Sequence, residues 1–284
     1  MEFTPTPDDI RTYQQQGFVH LKQVLSPAWL DVLGHAIHLV EEGVDQQPRV
    51  RNVTKMRRAL DAMEGRPPPE PDATGDFIMG HNTWQWNEPL RRLAFESPLP
   101  GLAQALMGAG KIVWYFDQAF IKEADSLVRT AFHQDLGYWT CKGDQICTFW
   151  IPLDRVTMDN GAMGYVPGSH RWEGRFKANR FLSRKALPGQ LGEDLPHIEA
   201  DEEKYGVVYC PCEPGDVVVH HVRTVHGSTG NRTAARPRRS VALRYTGDGV
   251  VYHEPPGLPP ESVPLAEDLQ DGDPLSGPLF PQLR

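Results

Sequence analysis

From about residue 111 onward the chain is cut into short runs rich in β-branched and aromatic residues, at 111–116, 119–121, 146–153, 207–210, 217–221 and 240–245. Turn signals separate many of them, among them Asp159-Asn160-Gly161, Pro167-Gly168 and Pro214-Gly215. Runs this short and this often punctuated predict a mainly β fold, an antiparallel sandwich or jelly roll. Helical patterning is confined mainly to the N-terminal part. Thr6-Pro7-Asp8-Asp9 offers an N-cap, a proline and early acids, and Gly17 supplies a stop. Residues 18–21 then read as a short strand. Ser26-Pro27 opens a second helix in which Leu30, Leu33, Ile37 and Val40 recur at helical spacing before Gly43 ends it.

At 284 residues the chain is long enough to bury a sizeable core, and jelly rolls of this size commonly form one domain, so residues 1–284 are read as a single unit. Three stretches fall outside the strand pattern. Residues 45–76 are rich in Arg and Pro without sustained periodicity and read as a long loop, either a lid or surface decoration. Residues 171–205 form an insertion between strand groups, and its 171–185 part carries Arg171, Arg175, Lys177, Arg180, Arg184 and Lys185, a solvated face or an attractor for an acidic substrate. Residues 254–284, dense in Pro and Gly, read as an irregular tail. A net charge of −8 argues against nucleic acid as a partner, and no apolar run is long enough to span a bilayer. The first residues lack the apolar segment of a secretory signal, and Cys141, Cys147, Cys210 and Cys212 form no C-x-x-C pair, which suits reduced thiols in a cytoplasmic protein.

Phe132-His133-Gln134-Asp135 sets an imidazole and a carboxylate two residues apart, so that on a strand both point to one face and can share one metal. His197-Ile198-Glu199 repeats the spacing, but in a polar, proline-bearing insertion rather than a strand-like, aromatic context. A third ligand is available from His220, His221 or His226; on a regular strand His220 and His226 share a face and His221 takes the other. Two imidazoles and a carboxylate suit non-haem Fe(II), and they also suit catalytic zinc, so ligand types leave the metal open. The cluster Arg236, Arg238 and Arg239 before the 240–245 run tilts the balance, because an inward guanidinium can grip a carboxylate in two-pronged fashion.

Taken together, His133-Gln134-Asp135, Asp159-Asn160-Gly161, Val166-Pro167-Gly168-Ser169-His170, Pro214-Gly215-Asp216 and His226-Gly227-Ser228 with Asn231 resemble the phytanoyl-CoA dioxygenase family of Fe(II)/2-oxoglutarate oxygenases, over roughly residues 10–252. The resemblance implies a double-stranded β-helix, cupin-like, with Fe(II) held by His133, Asp135 and His226, and with 2-oxoglutarate and O₂ as co-substrates. Its co-substrate arginine falls on Arg238 when counted back from the strand, though counting forward from His226 also admits Arg236. By similarity Gln118, Trp150 and Ser228 line the co-substrate pocket, and each also has an ordinary packing role. Relatives often carry a lysine before a Gly-His pair, where Ile78 and Met79 stand here, which shifts weight onto the arginine. Asp135 favours oxygen transfer over halogenation. The implied reaction is hydroxylation of an unactivated C–H bond in a small organic substrate, anionic or natural-product-like, with His81, Asn82, Trp84, Tyr138 and Trp139 as candidate substrate contacts. A zinc hydrolase on the same ligands and a non-catalytic metal or 2-oxoglutarate sensor are the alternatives.

Overall fold

The computed structural model of the chain describes residues 3–63, 74–257, 266 and 268–284. In chain order the elements are α1 (Pro7–Gln16), β1 (Phe18–Leu21), α2 (Pro27–Glu42), β2 (Val50–Asn52), α3 (Val53–Met63), β3 (Phe77–His81), α4 (Glu88–Glu96), α5 (Leu99–Met107), β4 (Val113–Lys122) and β5 (Thr130–His133). There follow β6 (Cys141–Lys142), β7 (Ile146–Pro152), β8 (Met163–Tyr165), β9 (Val208–Cys210), β10 (Val217–His221), β11 (His226–Ser228), β12 (Arg238–Thr246) and β13 (Val251–Tyr252). The helices precede the strand-rich half. Thr6 caps α1 in a reciprocal box with Asp9, and Gly17 ends it in the left-handed conformation at φ 80°, where a side chain would be strained.

Seven strands form one antiparallel sheet in the order β1-β10-β7-β12-β4-β3-β2, four form a second in the order β5-β11-β8-β9, and β13 pairs with β6. The two larger sheets meet face to face as a jelly roll, with Phe120, Trp150, Val218 and Ala242 of the first packed with Met163, Tyr165 and Cys210 of the second. The other face of the large sheet is covered by helices: Phe149, Ile151, Val219 and Leu243 bury against Leu33, Ile37, Leu93 and Leu102. Strands covered on both faces lose the polar-out alternation, which is why all seven residues of β7 are buried.

The loop reading of residues 45–76 is corrected in part. β2 pairs with β3, and α3 follows it directly, its first turn capped by the Asn52 side chain accepting from Lys55 N at 3.0 Å. A three-residue strand is too short to show a period, and its middle residue, Arg51, is exposed. Residues 64–73 of that stretch lie outside the described residues. β4 is one ten-residue strand where the sequence suggested two runs. The junction, Asp117, is fully buried on the helix side, accepting from Thr83 N, Thr83 Oγ1 and Trp84 N at 3.0, 2.7 and 3.0 Å. The tail is irregular as expected in its described part but is docked rather than loose: Leu275 and Phe280 are buried, and Trp114 N donates to Pro281 O at 3.0 Å.

The turn motifs hold the strands in register. Asp216 accepts from Gln23 N and Glu213 N at 3.0 and 3.1 Å, tying the end of β1 to the entry of β10. Its oxygens also meet His20 Nε2 at 3.0 Å, so the cluster of His20, Cys212 and Asp216 has its carboxylate already used as a staple. Asn231 is fully buried and spans the loop before β12, donating to Glu123 O and Arg236 O at 2.9 and 2.7 Å and accepting from Thr233 N at 3.1 Å.

Asp117→Ala leaves three donors around Thr83, two of them buried, without an acceptor, and should cost about 2–3 kcal/mol of stability. Urea unfolding measures this directly. A loss within about 0.5 kcal/mol of zero, the ordinary range for surface changes, would mean the turn rearranges to satisfy its donors.

Candidate functional site

The pairing of β11 with β5 sets His226 opposite His133. It needs Gly227, since a Cβ there would stand 2.9 Å from Thr130 O and 3.1 Å from Phe132 Cγ. β5 stops at His133, and Asp135 opens a 3₁₀ turn instead of continuing the strand. Its carboxylate nonetheless meets both imidazoles: Oδ1 lies 3.6 Å from His133 Nε2 and 3.9 Å from His226 Nε2. One ligand atom from each of the three residues fits within 4.8 Å of the others, and all three residues are buried.

The donor chemistry fits a divalent metal. His133 Nδ1 lies 2.8 Å from Ala131 O, and His226 Nδ1 lies 2.9 Å from Thr224 O. A carbonyl can only accept, so both Nδ1 atoms carry the proton and both Nε2 lone pairs face the carboxylate. Burial, together with the neighbouring His220 and His133, holds His226 well below the usual imidazole range and keeps it neutral. Burial opposes ionisation of Asp135, but His226, His133, His220 and Arg244 outweigh it and hold the carboxyl well below the usual carboxylate range. The second oxygen, Oδ2, accepts from Thr148 Oγ1 at 3.0 Å and meets His220 Nε2 at 3.3 Å.

Of the three histidines considered for the third ligand, His226 completes the triad, and His220 supports the carboxylate from behind. The chain does not stay a regular strand between them: β10 belongs to the large sheet and β11 to the small one. His220 and His226 therefore converge from opposite walls, with ring centroids 4.2 Å apart, while His221 turns away toward His170 at 5.5 Å. His197 is exposed, and Glu199 braces β5 by accepting from Phe132 N at 3.0 Å.

Next to the triad, a narrow inner chamber is lined by Gln118, Trp150, Ser228 and Arg238, with Arg244 also on its wall. Strand alternation puts Arg238, Ser240, Ala242 and Arg244 on the inner face of β12. Arg239 is on the outer face, where Asp154 takes its guanidinium at 2.8 and 3.0 Å; Arg236 is exposed. Arg238 is 2 % exposed and donates to Ser240 Oγ at 2.9 Å, with its guanidinium 5.7 Å from the Trp150 ring centre. Its Nε is buried without a partner, and no carboxylate of the described residues pairs with it. Burial lowers it to about 10, which leaves it charged at neutral pH. Arg244 donates to Gln118 Oε1 and lies 4.3 Å from the Phe116 ring centre.

A second, wider chamber of about 600 Å³ opens from His133 and Asp135 toward solvent, between Met79, His81, Tyr138, Trp139 and Phe181. Tyr138 is fixed by donating to Asn179 Oδ1 at 2.6 Å. Asn82 and Trp84 do not line it. Asn82 sits at φ 51° ahead of a 3₁₀ turn, and that turn directs Trp84 into the helix layer, 5.5 Å from Phe95 and 6.1 Å from Trp114. Of the 171–185 cations only Arg180 lines the chamber; Arg171 donates to Gln15 O, Lys177 pairs with Asp194, and Arg184 lies 3.9 Å from Glu199.

Sequence reasoning missed Lys122, Arg244, Thr148 and Arg49. Lys122 is fully buried and donates to Ser228 Oγ at 2.9 Å and Thr229 O at 2.8 Å, so a lysine does serve this end of the site, from β4 rather than from β3. Its signal was available: Phe116, Gln118, Phe120 and Lys122 alternate along one strand, and only the break assumed at Asp117 hid it.

A family model described as phytanoyl-CoA dioxygenase (PhyH) matches residues 13–240. The chain is 29% identical over 153 residues to a probable phytanoyl-CoA dioxygenase of Caenorhabditis elegans, covering 50% of this chain and 43% of that protein. It is 31% identical over 121 residues to a probable alpha-ketoglutarate-dependent hypophosphite dioxygenase of Stutzerimonas stutzeri, covering 40% and 38%. The chain thus spans less than half the length of these curated relatives. The solved structure of the non-haem alpha-ketoglutarate-dependent carbocyclase SnoK of nogalamycin biosynthesis is 25% identical with a TM-score of 0.68, over 99% of this chain and 97% of that one. The epimerase SnoN of the same biosynthesis shares the fold at a TM-score of 0.72 and 24% identity, over 98% and 97%.

Groups that orient a metal ligand set its affinity. His220→Ala and Thr148→Val, which strip Asp135 Oδ2 of one contact each, should each weaken metal binding about 10–100-fold while the protein stays folded. Anaerobic Fe(II) titration beside far-ultraviolet circular dichroism checks this, and an unchanged affinity would reduce both contacts to packing.

Proposed function

Since the chain belongs to the phytanoyl-CoA dioxygenase family, we propose that it is an Fe(II)- and 2-oxoglutarate-dependent dioxygenase that hydroxylates a C–H bond of a small organic substrate. His133, Asp135 and His226 would hold the iron. The bound iron supplies the redox chemistry of the balanced reaction, in which R–H, 2-oxoglutarate and O₂ give R–OH, succinate and CO₂.

The observation that carries the reading is Arg238. A guanidinium buried to this degree, with one hydroxyl and an aromatic face for company, is costly unless an anion joins it. It shares a narrow chamber with the triad, so a short dicarboxylate can reach Arg238 with one end and the metal position with the other. Charge-assisted, two-pronged pairing is the recognition that such a carboxylate calls for. Gln118, Trp150 and Ser228 complete the walls: Lys122 fixes the Ser228 hydroxyl, Arg244 fixes the Gln118 amide, and Trp150 offers the guanidinium a flat surface.

The chain's other contribution is to keep water from the reacting position. Phe116, Met79, Trp139 and Phe181 line the wider chamber where it meets His133 and Asp135, so a substrate C–H presented there is enclosed by apolar groups. Asp135 stays ionised there because, against the cost of its burial, His226, His133, His220 and Arg244 favour the carboxylate, and Thr148 donates to its second oxygen.

Anaerobic loading with Fe(II) followed by 2-oxoglutarate should produce the weak visible charge-transfer band of the chelate. Arg238→Ala should raise the 2-oxoglutarate needed for half-maximal band by about 10–100-fold, the usual worth of a charge-assisted hydrogen bond, whereas Arg239→Ala should change it less than about threefold. Iron that binds without any band would sink the proposal, and an effect confined to Arg239 would reassign the anchor.

A further inference from the structure

The wider chamber carries a feature that the co-substrate does not use. Arg49, Arg51 and Arg180 line it, and none has a carboxylate partner among the described residues. Other exposed arginines divide between those that meet a carboxylate, as Arg91, Arg129 and Arg155 meet Glu88, Glu202 and Glu213, and those that do not, such as Arg171 and Arg236; what sets these three apart is that they line one chamber. The three come from separate places, Arg49 and Arg51 at β2 and Arg180 across the opening in the 171–205 insertion, so no single solvated helix face accounts for them. Arg49 holds a positive φ of 67°, rare for a side chain of this size, with its carbonyl pinned by His81 N at 3.1 Å. Arg51 is anchored against the backbone, donating to Val50 O at 3.1 Å.

Much of the rest of the lining is apolar, with Val53, Met56, Leu182 and Leu187 beside Phe181, and His133 and Asp135 share the same chamber. A chamber of about 600 Å³ lies within the range that encloses one drug-sized molecule. The anion of 2-oxoglutarate is answered separately, in the inner chamber, by Arg238.

Resting on the oxygenase reading, we propose that the substrate is a free apolar carboxylic acid, its carboxylate held by Arg49, Arg51 and Arg180 at the chamber mouth and a C–H remote from that carboxylate presented at His133 and Asp135. All three arginines line the chamber as well as being exposed, so a carboxylate on the body of the substrate can meet them while the rest of that molecule occupies the chamber. Exposed cations facing one anion also make the binding salt-sensitive.

The test is binding to metal-free protein, followed by thermal shift and tryptophan fluorescence, with a panel of linear, aromatic and terpenoid monocarboxylic acids, their methyl esters and their coenzyme A thioesters. Several acids should bind, each at least tenfold more tightly than its ester and less tightly as salt is raised. Arg49→Gln with Arg51→Gln should erase the preference for the acid, while Arg155→Gln, an exposed arginine elsewhere, leaves it intact. Esters binding as well as acids, a double variant that keeps the preference, or a panel without any binder would overturn the proposal. Thioesters binding in place of the acids would overturn it in favour of a carrier-borne anion. The visible band of the Fe(II) and 2-oxoglutarate chelate, recorded on the parent protein, separates the two readings: acid binding without a band leaves this inference standing and removes the oxygenase.

Discussion

The Asp135 carboxylate is a buried anion, and the architecture around it is the set of conditions under which such an anion can exist. A carboxylate withdrawn from water must be answered on both oxygens. Oδ1 faces the lone pairs of His133 and His226, an arrangement that is only half satisfied by protein and is completed by a cation between them. Oδ2 is answered by Thr148 and His220, and the field of Arg244 adds to both. Those groups come from β5, β7, β10, β11, β12 and the turn that Asp135 itself opens. The jelly roll is therefore more than a platform. Its two sheets must close on each other for the anion to be tolerated at all.

The large sheet contributes a second constraint through the period of β12. Arg238 and Arg244 share its inner face, while Arg239 is delivered to Asp154 on the outer one. A slip of one residue would exchange these sets and strand two charged groups in the helix layer. The register is guarded at the strand's entry, where Asn231 ties the preceding loop to Glu123 O and Arg236 O, and where Gly161 lets its turn approach Arg238. A Cβ on Gly161 would stand 3.0 Å from Arg238 Nε, at a φ of +107° that disfavours any side chain.

How much of this is legible in the sequence follows from where each signal resides. Turn chemistry is local, so Asp159-Asn160-Gly161, Pro214-Gly215-Asp216 and the capped α1 are readable, and the first two carry part of the family resemblance. The His133 and Asp135 spacing survives even though the strand ends between them. Faces are harder to read, because strands buried on both sides carry no alternation. Hence Lys122 and Arg244 look like any cations in apolar runs until the register is known, and the arginine cluster admits more than one anchor. Tertiary direction is hardest. Nothing local to Thr83 shows that its turn sends Trp84 to the helices, because the deciding acceptor, Asp117, lies on another strand and itself imitates a turn.

The three groups of unanswered cations and lone pairs are arranged by depth. The metal position and Arg238 lie in the inner, fully buried region, whereas Arg49, Arg51 and Arg180 lie at the exposed opening. Desolvation makes a buried guanidinium demand an anion, while an exposed one merely prefers it. An anion bound at Arg238 is therefore held more strongly per contact than one at the rim, and its arrival relieves the larger electrostatic cost. The two chambers share Gln118, His133, Asp135 and Phe181 but not their arginines, so an anion answered at Arg238 and one answered at the mouth would draw on different cations.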